Sequence, residues 1–233
     1  MCLGPGPAPC PGPGRHASPR GCGLASQGVL LVVSGPSGVG KGTVIAALRR
    51  LRPALVESVS STTRPPRPGE VNGVDYHFVS RGEFEDMLAR GELLESEPVY
   101  GDHLYGTLRA PVAEALAAGR DIVLEIDYRG AEQVRERMPE DAVLVFVAPP
   151  TWEELERRLQ GRRTEGPAEV RKRLGRARRE IENMGHYDYI VVNADAGVAS
   201  REVAVILAAE RLRRGRVDAE TLQRKLLAAA VEE

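Results

Sequence analysis

The stretch Ser34-Gly35-Pro36-Ser37-Gly38-Val39-Gly40-Lys41-Gly42-Thr43 constrains this chain more than any other. The apolar run Val29-Leu30-Leu31-Val32-Val33 precedes it and Val44-Ile45-Ala46-Ala47-Leu48 follows, so the pattern predicts strand, loop and helix in succession. Gly35, Gly40 and Lys41 fit the spacing Gly-x-x-x-x-Gly-Lys. Glycines without a Cβ let successive backbone N–H groups turn toward one anion, and the N-terminus of the next helix adds partial positive charge. Lys41 is then placed to reach the outer phosphates of a nucleoside triphosphate. A plain glycine-rich turn is the competing reading, and the strand before and helix after argue against it. Gly42 stands where a Ser or Thr hydroxyl usually binds Mg²⁺, and Thr43 comes one residue late. A metal here leans on water, phosphate oxygens or a carboxylate from elsewhere.

Such a loop belongs on a parallel sheet, and the rest of the chain supplies one. Strands are expected at about 28–34, 56–60, 122–127, 142–147 and 189–193. Helices are expected at about 41–51, 81–90, 109–118, 130–137, 151–160, 168–183 and 197–213, with an extra one within 217–230. Alternation of apolar strands with helices predicts an α/β fold with a parallel sheet of five strands, covered on both faces. Ligands of such sheets sit at the carboxyl ends of the strands, where Ser34, Ser60, Asp127 and Asn193 fall, with Glu125 just inside. Between the second and third of these strands lie a turn-rich segment, with a small hairpin expected around Asn72-Gly73, and short strands within 93–107 separated by Gly101-Asp102.

Composition bounds the function classes. With 233 residues, 42% of them hydrophobic, the chain is large enough for one core carrying insertions. A formal net charge of −1 excludes a broadly basic nucleic-acid footprint. Cys2, Cys10 and Cys22 all lie in the first segment, which argues against a disulfide framework or a structural zinc site in the core. No apolar run approaches the roughly 18 residues of a membrane span, and the N-terminus lacks the apolar stretch of a secretory signal. The expectation is a cytoplasmic protein with no membrane partner. Residues 1–27, dominated by Pro, Gly and small residues, are expected to be a disordered tail.

Two arginine groups and a pair of acids complete the candidate chemistry. Arg64 and Arg67, stiffened by Pro65, Pro66 and Pro68, form a two-pronged loop suited to bidentate phosphate binding, with Tyr76 and Tyr105 as hydroxyl donors. A solvated surface loop and packing tyrosines are the bland alternatives. Arg158, Arg162, Arg163 and Arg173 bracket a loop after a helix, as expected of a lid over a transferring phosphoryl group. Within the mixed-charge run from Arg171 to Glu180, Arg171 and Arg176 are expected to be ordinary surface residues. The strand Ile122-Val123-Leu124-Glu125-Ile126-Asp127 resembles a Walker B strand, although Asp127 would equally serve as the cap of the next helix.

These residues together resemble the guanylate kinase family. The resemblance rests on Ser34–Val44, Ser58–Phe78, Glu95 with Tyr105-Gly106-Thr107, Leu124–Gly130, Val147-Ala148-Pro149-Pro150, Leu159-Gln160-Gly161-Arg162 and Ile190-Val191-Val192-Asn193. It covers roughly residues 27 to 213 and implies a P-loop kinase core (28–60 and 108–213) with a helical lid at about 158–175 and a mixed α/β GMP-binding insertion (61–107); the C-terminal helix expected within 214–233 lies beyond it. The implied substrates are ATP and GMP, with Mg²⁺. Residues 35–43 (Gly35 to Thr43) would bind ATP, and Lys41, Arg158, Arg162 and Arg173 would surround the transferring phosphoryl group. Ser60, Arg64, Arg67, Tyr76 and Tyr105 would hold the GMP phosphate and its surroundings. Glu95 and Thr107 would read the guanine edge with help from Glu125 and Asp127, and Asp127 is the candidate Mg²⁺ partner through water. A non-catalytic guanylate-kinase-like binding module and an ATP-dependent kinase of a phosphorylated sugar are the alternatives. The lysine and lid arginines disfavour the first, and the Arg64/Arg67 loop with Glu95 and Thr107 disfavours the second.

Overall fold

The structure, a computed structural model, describes residues 27–98, 103–161 and 167–229. Five strands form a parallel sheet in the order β2 (Val56–Glu57), β7 (Ile122–Glu125), β1 (Leu30–Ser34), β8 (Ala142–Ala148), β9 (Tyr189–Val192). A second sheet, in the order β4 (His77–Phe78), β3 (Ser61–Thr62), β6 (Leu104–Leu108), β5 (Leu93–Pro98), stands beyond the carboxyl ends of the first. The helices among the described residues are α1 (Lys41–Leu51), α2 (Arg81–Ala89), α3 (Arg109–Ala117), α4 (Tyr128–Arg137), α5 (Trp152–Gln160), α6 (Pro167–Glu182), α7 (Ala196–Arg211) and α8 (Ala219–Ala229). None is long and apolar enough to cross a membrane.

The period-two alternation of β1 divides the core. Leu31 and Val33 pack on one face with Val44, Ile45 and Leu48 of α1, Leu155 and Leu159 of α5, and Val203 and Leu207 of α7. Leu30 and Val32 pack on the other with Val112 and Leu116 of α3 and Ala131 and Val134 of α4. Both faces of the strand are therefore apolar, and β1 reads as an unbroken buried run.

Three sequence expectations are corrected. The strand expected at 56–60 is only Val56–Glu57, which pairs with β7 in the large sheet; the next strand, Ser61–Thr62, lies beyond the expected range and pairs with β4 and β6 in the second. The strand expected to run to Asp127 stops at Glu125, because Asp127 turns out to accept the Gly130 N–H at 3.0 Å and caps α4, which begins at Tyr128 and not at 130. The hairpin expected around Asn72 is reduced to one bridge between Asn72 and Tyr76, since side chains close the turn: Asn72 Oδ1 accepts from Phe78 N–H and Asp75 Oδ2 from Val71 N–H. Residues 1–26 of the expected tail, Gly101-Asp102, Arg162 and Arg163 lie outside the described residues.

Arg216 closes the opposite, amino-terminal end of the large sheet. Only 5% exposed, it reaches the carbonyls of Asp141 at 2.9 Å, Glu140 at 3.3 Å and Gly28 at 3.5 Å, the approaches to β8 and β1.

Candidate active site

A cleft of about 490 Å³ opens where the carboxyl ends of the large sheet meet the second sheet and α6. Ser37, Gly38, Gly40, Lys41, Gly42 and Thr43 line it from the loop between β1 and α1; Ser60, Arg64, Arg67, Tyr76, Glu95 and Tyr105 line it from the second sheet and its loops. Glu125, Asp127 and Arg173 also line it. Gly35, Pro36, Val39 and Thr107 lie beneath this surface and are buried. Arg158 does not line the cleft: its Nη1 and Nη2 donate to the carbonyls of Val39 and Asn193, and its Nε donates to Glu154.

The loop is shaped by what its backbone can approach. Gly35 has a φ of 140°, and a Cβ there would stand 2.2 Å from the Val147 carbonyl oxygen, so only glycine lets the chain leave β1 against β8. The Lys41 ammonium curls back to donate to the Gly35 carbonyl at 2.7 Å. At α1 the chain offers no capping side chain, so the first N–H groups of this helix have no side-chain acceptor, and Lys41, Gly42 and Thr43, which begin it, line the cleft.

On the second sheet, strand register does the assembling. Glu95 of β5 lies opposite Thr107 of β6, so both side chains share a face, and Thr107 Oγ1 donates to Glu95 Oε1 at 2.7 Å. The other oxygen, Oε2, packs on Gly130, where a Cβ would stand 2.7 Å away. Glu95 is 4% exposed, and burial pushes its carboxyl up to about 7, with the Thr107 hydrogen bond opposing. Arg64 donates from Nε to Tyr105 and, as a fork, from Nη1 and Nη2 to the two oxygens of Glu70, each at 2.9 Å. Its guanidinium also lies over the Tyr76 ring, 5.3 Å from the centroid. Glu70 accepts in addition from the Arg67 N–H, and the pair with Arg64 holds its carboxyl down at about 2.

Helix α6 brings three side chains of one face to the cleft. Arg173 donates to Ser37 Oγ at 3.3 Å. Arg176, expected at the surface, instead bonds Asp127 Oδ2 at 2.5 Å and Glu180 at 3.3 Å; three residues beyond Arg173, it shares that residue's face. Glu180, 4% exposed, has its carboxyl pushed up by burial, with Lys41 and Arg176 opposing. Glu125 is likewise pushed up by its surroundings, with Lys41 opposing. Glu70, Arg176 and Glu180 were not among the candidates read from the sequence. The i, i+3, i+7 spacing of Arg173, Arg176 and Glu180 was the available signal for two of them.

The guanylate kinase family model matches residues 27–210. A guanylate kinase of Paramagnetospirillum magneticum is 49% identical over 193 residues, covering 83% of this chain and 90% of the relative. One of Thermobifida fusca is 52% identical over 180 residues, covering 77% and 91%. The crystal structure of guanylate kinase from Anaplasma phagocytophilum superposes with a TM-score of 0.72 at 36% identity, covering 88% of this chain and 96% of that one.

Proposed function

Since this chain belongs to the guanylate kinase family, whose members use ATP to phosphorylate GMP to GDP, we propose that the cleft between its two sheets is where that transfer takes place. The observation that carries the assignment is the meeting of a phosphate loop, a forked arginine and a buried carboxylate in one cleft. The alternatives of a non-catalytic module and a sugar-phosphate kinase lose ground to relatives of about half identity over most of their length.

On this reading the loop N–H groups and Lys41 hold the β- and γ-phosphates of ATP, and Arg173 approaches from the lid. Arg64, kept in aim by Glu70 and Tyr105, and Arg67 hold the GMP phosphate together with Ser60, Tyr76 and Tyr105. Glu95, with Thr107 behind it, takes the N1–H and 2-amino donors of guanine, and Asp127 faces the same base. A GMP phosphate oxygen attacks the γ-phosphorus in line; the new P–O bond forms as the bond to the β–γ bridging oxygen breaks, and ADP leaves with that electron pair. No protein nucleophile takes part. Arg158 supports the loop through the Val39 carbonyl.

Mg²⁺ would neutralise charge on the phosphate oxygens of ATP. The donors beside Gly42 fit it: Thr43 lines the cleft, and Glu125 Oε2 lies 3.3 Å from where a Cβ at residue 42 would stand. Asp127, whose oxygens already accept from Gly130 and Arg176, is the less open acid. Among the described residues no three acids or histidines gather into a metal cage, so phosphate oxygens and water would complete the shell.

The test is ADP release from ATP with GMP, AMP, CMP and UMP offered separately. GMP is expected to support turnover far above the others. Equal rates, or turnover only with a phosphorylated sugar, would overturn the assignment.

A further inference from the structure

We propose that Arg176 is a positioning residue for base choice: from the lid helix it holds the Asp127 carboxylate in the orientation that accepts the 2-amino group of guanine. The inference rests on the reading that Asp127 faces the base.

Asp127 is fixed at both oxygens. Oδ1 accepts from the Gly130 N–H at 3.0 Å, which ties it to the start of α4, and Oδ2 accepts from Arg176 Nη2 at 2.5 Å. Two donors on the two oxygens set the plane of a carboxylate as well as its position. Each oxygen has a second lone-pair direction, and because Asp127 lines the cleft these remain for a substrate donor.

Arg176 is itself held from behind. Its Nε lies 3.3 Å from Glu180 Oε1, one helical turn further along α6. Glu180 is 4% exposed, so withdrawing the guanidinium would leave a buried carboxylate without its ion pair. The arginine is thus clamped between a buried acid on its own helix and the acid that faces the acceptor nucleotide. A lysine would reach one of these partners as a point charge and lacks the planar fork that spans both.

The same arrangement makes base reading depend on the lid. Arg173, three residues earlier on α6, donates to Ser37 of the phosphate loop at 3.3 Å. One helix therefore carries a contact to the donor side and a contact to the acceptor side, and the second acts on the 2-amino position alone.

IMP differs from GMP only in lacking that amino group, which makes the ratio of the two kcat/KM values the readout. Wild type, Asp127→Asn, Arg176→Gln, Arg176→Lys and the double variant Asp127→Asn with Arg176→Gln are compared, with melting temperatures measured alongside. Arg176→Gln is expected to lower the GMP/IMP ratio about tenfold, through the KM for GMP, with IMP and the KM for ATP little changed. Arg176→Lys is expected to fall between it and wild type. The double variant is expected to match Asp127→Asn, since both changes remove one device. Equal losses for GMP and IMP in Arg176→Gln, beside a lowered ratio in Asp127→Asn, would overturn the proposal and leave Asp127 in place. An unchanged ratio in Asp127→Asn would overturn the base-facing assignment of Asp127 and this proposal with it. If Arg176→Gln does not fold, Arg176→Lys decides: a lowered ratio supports the proposal, and an unchanged ratio or equal losses overturn it.

Discussion

On the side assigned to ATP the protein works with its backbone, and on the side assigned to GMP with side chains. The loop from Gly35 to Thr43 is one contiguous piece, fixed by the approach of Gly35 to Val147, and its only long polar side chain is Lys41. The acceptor side draws Arg64, Glu70, Tyr76, Glu95, Tyr105 and Thr107 from separate strands and loops, and they meet only because β3, β5 and β6 hold a particular register. A backbone site recognises what every nucleoside triphosphate shares, while a side-chain site can distinguish one base from another. Damage to the first should abolish turnover, and damage to the second should blur choice.

The contrast is tested most severely at Lys41. Lys41→Ala is expected to lower kcat by roughly 10³-fold, because it removes a positioned charge from the transferring group, while the melting temperature and the KM for GMP stay near wild type. A mild loss in kcat would mean that the backbone N–H groups suffice and that the division drawn above is wrong.

Glu95→Gln sharpens the other half. One acceptor survives but the second oxygen becomes a donor facing a donor, so kcat/KM for GMP is expected to fall roughly ten- to a hundred-fold while AMP changes little. Equal losses for the two nucleotides would show that Glu95 supports the fold instead of reading the base. The unliganded variant is expected to melt higher than wild type at pH 8. The reason is the raised carboxyl: with a folded-state value of about 7, the native protein binds more protons than the unfolded chain between its ordinary value of 4.5 and 7. Stability from this group therefore declines as pH rises through that window, and glutamine removes the penalty.

The smallest effect concerns pH and the same residue. Guanine's two donors require the ionised carboxylate, so GMP binding must expel the proton held below pH 7. Between pH 8 and pH 6 the KM for GMP is expected to rise about tenfold in wild type, and to rise much less in Glu95→Gln, where only the GMP phosphate, with its own pKa of about 6, still titrates. A flat wild-type profile would place the ionisation of Glu95 outside the binding step.

What was legible in the sequence divides along the same line. The loop could be read because its residues are consecutive and its glycines have a backbone reason, and β1 followed from an unbroken apolar run and α1 from the residues after it. The contacts of the acceptor side could not be read from period. That Glu95 lies opposite Thr107 depends on a register set by chain pairing, and the two-residue strands β3 and β4 are too short to show any alternation. The resemblance supplied those residues. Glu70 escaped because a carboxylate three residues after an arginine in a loop has no periodic mark. Arg176 was misread because a helix rich in both signs gives a solvated face as the simplest account, and the tertiary fold turned that face toward Asp127.

Arg216 carries a consequence for where the folded unit reaches beyond the family match. The family match stops at residue 210, yet a buried guanidinium six residues later provides donors to carbonyls at the entrance of the two central strands. Similarity and physical integrity therefore draw different borders. A protein trimmed to the shared span would retain every group of the cleft and lose the keystone at the opposite end of the sheet. What reads in the sequence as an appendix is, through this one residue, part of the masonry of the sheet whose far end is assigned to catalysis.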